Sequence, residues 1–416
     1  MMIQGRDDLR DYMTILSGST LRLVIALVYF LVAANTLSLA DFGRFATASA
    51  AGLIIARIGA FGFISAVFRT GSVKPRILGV YMGGFLALFA MSVPVMACVA
   101  WLAHLALFQG DMAFSAFALI ILGEAAGWRL VEFVSTANNG IGAYRRAASA
   151  VLVGTMIRVA VAVVYWLSGA TSLLVWASSY ALANLVAAVV ALVVFRPPHR
   201  LRLEFSLYGR WVRESMASMA ADMVFYVQSE LDKIVILSMA GPQAAGLYAI
   251  AMRLIDLTAT PIRSFNQIMM QKIMRQRAMV TGFMRLAGFE LGVAIVSLAG
   301  FAAILLLLWL YPQALGRNVA MVAPILGLMC LVPVFRNLVE YQAELLYARQ
   351  RTILRAVLLA LLACLKAAGL MLAIRATAAT EGWLVWTNAV FAMLYVVSTL
   401  VCYTALRNQA SSSAAR

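Results

Sequence analysis

An all-α polytopic membrane protein, with about twelve transmembrane helices in two six-helix lobes, is the fold class that this sequence predicts. Composition is the first reason: 64% of the 416 residues are hydrophobic and 12% charged, where a soluble chain carries about 45–50% and about 25%. Mean hydropathy is +0.92. A transmembrane helix needs about 20 apolar residues, so this supply suits roughly twelve or thirteen. The second reason is that the apolar residues fall into separate long stretches with no lasting strand-like alternation. The third is a polar segment near the midpoint, flanked by a weak repeat. An ordinary soluble, disordered or collagen-like chain is excluded.

The first apolar stretch, 16–37, follows a head in which Arg6 and Arg10 mix with Asp7, Asp8 and Asp11. It is longer than the apolar core of a signal peptide and reads as span one. Charged or Gly/Pro-containing breaks bound spans two to six at 45–68, 77–101, 112–136, 147–167 and 173–195. The segment RPPHRLRLEFSLYGRWVRES (196–215) then divides the chain into lobes of 1–200 and 201–416. Spans seven to twelve follow at 216–239, 246–270, 286–310, 320–346, 353–374 and 383–405. The final NQASSSAAR reads as a disordered tail. Across the divide, LSLADFGRFATASA (37–50) resembles MAGPQAAGLYAIAM (239–252), with Gly43, Phe45 and Ala48 matching Gly246, Tyr248 and Ala251. Duplicated helical halves are a transporter signature. An even span count per half makes these repeats parallel.

The net charge of +16 would suggest nucleic acid in a soluble protein. Here it is an orientation signal. With the N-terminus in the cytoplasm, cytoplasmic segments hold 21 basic residues and the opposite side only Arg44, Arg317 and Arg375. The positive-inside rule therefore places both termini in the cytoplasm, and no nucleic-acid partner is expected. The external loops are short. Cys98, Cys330, Cys364 and Cys402 lie in apolar stretches and read as core residues without a disulfide pattern. His104 and His199 are far apart and read as loop residues, so neither a metal nor a cofactor is expected.

Nine basic residues remain inside spans: Arg22, Arg57, Arg129, Arg158, Lys233, Arg253, Arg263, Arg336 and Lys366. Nine acids join them: Glu124, Glu132, Asp222, Glu230, Asp232, Asp256, Glu290, Glu340 and Glu344. Each costs roughly 2.5–3.5 kcal/mol at the bilayer centre, so most must face one another or a wet interior. In span eight, Gly246, Ala249, Arg253, Asp256, Thr260, Arg263 and Gln267 recur every three or four residues and share one helix face. Arg253 and Asp256 are spaced to pair, and Pro261 is placed to kink the helix. Span one carries a similar stripe with Arg22 and Tyr29, span two adds Arg57, and span four stacks Glu124, Trp128 and Glu132. Blander readings stand beside these. Arg129, Glu132, Arg336, Glu340 and Glu344 lie toward cytoplasmic ends and are equally read as snorkelling. Arg336 and Glu340 have i,i+4 spacing, and Glu230, Asp232 and Lys233 read as a local neutralised cluster. Arg22, Arg57 and Arg253 are the leading substrate contacts.

Residues 231–271, LDKIVILSMAGPQAAGLYAIAMRLIDLTATPIRSFNQIMMQ, resemble the seventh-to-eighth span region of bacterial polysaccharide flippases. These are the O-antigen and exopolysaccharide branch of the multidrug/oligosaccharidyl-lipid/polysaccharide exporter superfamily. Asp232 enters an apolar run, a short Gly turn follows, then Gly246, Tyr248 and Ala251, a basic Arg253 and Pro261. LADFGRF and a helix ending in Phe68 and Arg69 are similar to the family's first repeat. The resemblance implies a V-shaped pair of lobes around a central cavity. It also implies transfer of an undecaprenyl-pyrophosphate-linked oligosaccharide across the bacterial inner membrane. The expected partners are that lipid-linked oligosaccharide, membrane lipids and other polysaccharide assembly proteins.

The family's cationic cavity positions on spans one, two and eight correspond here to Arg22, Arg57 and Arg253. Arg263, Tyr29 and Gln267 complete the candidate cavity set. The embedded charges divide as +2 in the N-terminal half and −2 in the C-terminal half. The first half is thus expected to handle the anionic head group, with Asp222, Asp256 or Asp232 coupling to a proton or cation. A multidrug/cation antiporter of the same fold is the alternative. A membrane-embedded glycan polymerase or acyltransferase is disfavoured, because no paired catalytic groups or large external loop are visible, and no enzymatic activity is expected.

Overall fold

Helix is the only regular structure among the described residues, as hydrocarbon requires of a chain that must satisfy its own backbone polar groups. The computed structural model describes the backbone of residues 24–275, 283–377 and 382–414, with side chains apart from 264–265, 267–275, 283–286 and 408–414. Among these residues, nine helices are long and apolar enough to cross a membrane. A tenth is made by the pair Arg317–Met329 and Val332–Ala348, bent by 71°, in place of predicted span ten. Val24–Thr36 is a shorter apolar helix at predicted span one. Phe205–Arg263 runs 59 residues, about 88 Å if straight and nearly three hydrocarbon thicknesses. Gly241 divides it with φ 84° and ψ 176°, so it covers predicted spans seven and eight. Among the described residues, each of predicted spans two to twelve coincides with a helix or helix pair, and the described part of span one is helical.

Gly241 occupies a backbone region that is essentially restricted to glycine. An added Cβ would meet nothing within 4 Å, so the cost of Gly241→Ala is conformational alone. The expected loss is about 1–3 kcal/mol, read as lowered thermal stability in detergent. Pro261 lies inside the helix with helical backbone angles, Gly241 being the one non-helical residue in Val212–Arg275.

The chain forms two compact units, Met1–Met223 and Val224–Arg416. The first extends past the midpoint segment because that segment docks on it. Residues 200–202 cross the start of span three where glycine leaves room. A Cβ on Gly79 would lie 2.2 Å from the Arg200 carbonyl oxygen, and one on Gly83 2.3 Å from that of Arg202. Tyr208 lies over Gly84 and donates its hydroxyl to the Val80 carbonyl at 2.9 Å. Trp211 Nε1 donates to Tyr81 Oη at 2.9 Å, and Arg69 pairs with Glu214 at 2.7 Å.

Two irregularities shape the first unit. Span two is helical over Leu39–Ile55, breaks at Gly59, Ala60 and Phe61, and resumes over Ile64–Val73. Span four carries a π-helical turn over Leu122–Trp128, a form frequent at functional sites. The two spans approach closely where Gly52 faces Glu124, whose Cβ lies 2.9 Å from the position a Gly52 Cβ would take.

Two expectations from sequence context fail. Cys98 and Cys364 are exposed on their helices, Cys330 is exposed in the turn between Arg317–Met329 and Val332–Ala348, and Cys402 alone is buried. Apolar neighbours identify a span but not which side of it meets lipid. His104 sits in the last turn of Leu78–Leu107, buried, and its ring Nε2 donates to the Met112 carbonyl at 2.8 Å.

Candidate functional site

In the first unit, the broken second span places Arg57 just past the end of a half-helix. The unpaired carbonyls there attract a cation, and Arg57 Nε donates to the Leu53 carbonyl at 3.2 Å. Its Nη2 meets Glu132 Oε2 at 2.9 Å, and Arg129 Nη1 reaches the same oxygen at 3.0 Å. Arg129 is 2% exposed. Burial of Arg129 excludes the snorkelling reading for it, because its neighbours from spans two and four enclose it. A second cluster surrounds the π turn. Glu124 accepts from Ser49 Oγ at 2.7 Å and from the Tyr180 hydroxyl. Arg158 lies 3.6 Å from Glu124, donates Nε to Asn184 Oδ1 at 2.7 Å, and stacks 3.7 Å above the Trp128 ring. Tyr29 joins Arg158, Trp176 and Tyr180 around a cavity of about 10 Å³.

The second unit encloses a cavity of about 60 Å³, walled by Arg263, Arg336, Arg355 and Lys366 among the cations and by Asp232, Glu340 and Glu344 among the acids. The span-eight stripe supplies one wall by facing span ten. Arg263 makes a two-point contact to Glu340 at 2.6 and 3.0 Å. Asp256 pairs with Arg336 at 2.7 Å and lies 3.6 Å from Arg263. The i,i+4 pairing expected of Arg336 and Glu340 is therefore replaced by two pairs between helices, which satisfy both stripes at once. Arg336 and Glu344 are likewise held by partners, Glu344 by Arg355 at 2.8 Å.

Asp232 is 2% exposed. It accepts from the Tyr248 hydroxyl at 2.8 Å and from the Lys233 backbone N–H at 3.0 Å, with Lys366 Nζ at 3.5 Å. Lys366 also donates to the Gln228 carbonyl. The local cluster expected of Glu230, Asp232 and Lys233 is thus split. Glu230 keeps Lys233 at 2.5 Å, while Asp232 turns to Tyr248 and Lys366.

The sequence-predicted site residues fall as follows. Arg57 joins Arg129 and Glu132; Tyr29 joins Arg158; Asp256 and Arg263 share one network; Asp232 forms its own. Arg253 is exposed on span eight, and Asp222 is half-buried on span seven in the first unit. Arg22 and the Gln267 side chain lie outside the described residues. Reasoning from sequence missed the Glu124–Tyr180–Arg158 set and the partnership of Lys366 with Asp232. Their signal was present as embedded charge, but the partner was not.

This arrangement of helices is shared with solved structures of membrane transporters. An inward-facing multidrug resistance transporter of the MATE family matches over 95% of this chain and 99% of its own, with a TM-score of 0.64 at 14% identity. The lipid II flippase MurJ, in an inward closed conformation, matches over 95% of this chain and 87% of its own, with a TM-score of 0.65 at 9% identity. The Vibrio cholerae MATE transporter VcmN in its bent form matches over 96% and 97%, with a TM-score of 0.58 at 12% identity. These likenesses establish the fold. No family profile matches the sequence, and no curated protein does.

Proposed function

We propose that this chain is a transporter of the bacterial inner membrane and not an enzyme. Its cargo is a polyprenyl-pyrophosphate-linked oligosaccharide, flipped from the cytoplasmic to the periplasmic leaflet for cell-surface polysaccharide synthesis. The carrying observation is buried arginine in a transporter fold: Arg57 is 5% and Arg129 2% exposed. Guanidinium forks suit phosphate oxygens, and a pyrophosphate leaving water needs such donors. The fold shared with a lipid II flippase supports the same reading. Arg22, Arg57, Arg253 and Arg263, with Tyr29 and Gln267, contact the cargo in this proposal, and alternating access moves it. Asp222, Asp232 and Asp256 are the candidates for coupling to a proton or cation. Both termini are assigned to the cytoplasm on the distribution of basic residues. Membrane lipids and other polysaccharide assembly proteins are the expected partners.

The equally good match to a multidrug transporter favours a second reading, a drug or cation antiporter. Deletion separates the two. The flippase reading expects lipid-linked oligosaccharide to accumulate on the cytoplasmic leaflet and surface polysaccharide to fall. Wild-type protein restores both, and Arg57→Ala at equal membrane levels does not. Normal surface polysaccharide without accumulation overturns the proposal, and drug sensitivity in that background points to the antiporter.

A further inference from the structure

We infer that Glu290, on span nine, is a proton-binding site of the second unit, and that it, in place of Asp232 or Asp256, is where a proton couples to transport. The coupling role rests on the proposed reading of the chain as a transporter; the binding site itself does not.

The company that Glu290 keeps is the first observation. Every other embedded acid of the second unit pairs with a cation: Glu230 with Lys233, Asp232 with Lys366, Asp256 with Arg336, Glu340 with Arg263 and Glu344 with Arg355. A proton placed on any of these would strand the positive charge beside it. Glu290 is 8% exposed, and its hydrogen-bond partners among the described residues are all neutral. Its own helix places Leu286, Ala287, Val293 and Ala294 at the three- and four-residue positions that neighbour it. A proton on Glu290 removes a buried charge and leaves no cation uncovered.

Three helices meet at this carboxyl. Gln342 Nε2 on span ten donates to Glu290 Oε1 at 2.8 Å, and the Tyr395 hydroxyl on span twelve donates to Oε2 at 2.8 Å. The Tyr403 hydroxyl, about two turns further along span twelve, is a third donor. Tyr341 on span ten and Cys402 on span twelve are the other titratable groups that act with Glu290 among the described residues, and tyrosine and cysteine are ordinarily neutral. The carboxyl is thus held by dipoles alone, in a unit whose other embedded acids are held by charges.

Gln342 supplies the second observation. It is fully buried, and its amide nitrogen is spent on Glu290 and on Thr399 Oγ1 at 2.9 Å. Its Oε1 is buried without a hydrogen-bond partner. An ionised carboxylate only accepts and has nothing to offer that oxygen, whereas a protonated one carries a donor. Acid and amide then bond in both directions, N–H to carboxyl oxygen and O–H to Oε1. The ionised form keeps its three donors, so both forms are bonded and the site survives the exchange. Tyr395 and Tyr403 are half-buried, and their hydroxyls lead from the carboxyl toward the more open side of the unit. The step is a proton transfer alone: an O–H bond of hydronium breaks, one forms on Glu290, and water is released.

The test uses the full chain in phosphatidylcholine nanodiscs, with infrared difference spectra taken between alkaline and acidic medium. A component of the protonated-carboxyl band is expected to appear on acidification and to be lost in Glu290→Gln. Asp232→Asn and Asp256→Asn should leave that component in place. Tyr395→Phe removes one donor from the carboxyl and is expected to shift the component in frequency, which serves if Glu290→Gln does not fold. Spectra of Glu290→Gln identical to wild type, or an unshifted band in Tyr395→Phe, overturn the inference. So does a component that sodium chloride but not choline chloride suppresses at constant pH, which would make the ligand a metal cation. In the deletion strain, Glu290→Gln at equal membrane levels is expected not to restore surface polysaccharide, and full restoration overturns the coupling role. Normal surface polysaccharide on deletion would instead remove the flippase reading while leaving a positive infrared result intact.

Discussion

Replacing Lys366 by Met destabilises the second unit by about 3–5 kcal/mol, the usual cost of removing one partner from a buried ion pair. The side chains of Lys366 and Asp232 are 3% and 2% exposed, so water does not take the place of the lost charge. Asp232 keeps the Tyr248 hydroxyl and the Lys233 backbone N–H, which stabilise a carboxylate but do not neutralise it. The Gln228 carbonyl also loses its lysine donor. Asp232→Asn in the Lys366→Met background removes the stranded charge and should recover most of the loss. Thermal unfolding in detergent, followed by tryptophan fluorescence, provides the double-mutant cycle. A strong favourable coupling between the two sites is expected. Additive effects would mean that the 3.5 Å contact contributes nothing, and Asp232 would then be held by Tyr248 and the Lys233 backbone N–H.

That network shows where reading the sequence stops. Asp232, Tyr248 and Lys366 were each visible as chemistry inside apolar runs, and embedded charge demanded partners. Lys366 lies on span eleven, however, and nothing in local spacing says which helix packs beside which. Where partners sit on one helix the reading succeeds, as for Lys233 and Glu230 at i,i+3. Where they sit on different helices it misassigns them, as for Arg336, which turns to Asp256 instead of its i,i+4 neighbour Glu340. The spans themselves were legible because hydropathy depends on each segment alone. Leu173–Phe195 reproduces the sixth predicted span to the residue. The break in span two was not read, although Gly59 and Gly62 bracket it. Glycine is so common in membrane helices as a packing residue that its presence does not single out a break. Side-chain exposure was the least legible property, because a lipid-facing residue and a core residue are equally apolar, as the three exposed cysteines show.

The break in span two leads to the second large effect. Gly62→Ala is expected to destabilise the first unit by about 3 kcal/mol or more, combining backbone strain with overpacking. Gly62 has φ +75°, and an added Cβ would stand 2.2 Å from the Ser215 carbonyl oxygen and 2.9 Å from Met219 N and Cβ. The nearest atom is backbone at the start of span seven, so relief requires moving that segment. That movement pulls on the Arg69–Glu214 pair and on Arg69 over the Trp211 ring at 5.3 Å. Ala60→Gly provides the contrast. Ala60 and Phe61 have φ of 54° and 51°, each costing about 1–3 kcal/mol in a non-glycine residue. Removing the Ala60 methyl forfeits about 0.8 kcal/mol of burial but releases strain of comparable size, so Ala60→Gly is expected to be near neutral in stability. If the strain serves to hold Arg57 at the end of its half-helix, Ala60→Gly lowers transport while leaving unfolding temperature unchanged. Full transport by Ala60→Gly would assign the break to packing against span seven, with Gly62 as its one indispensable residue.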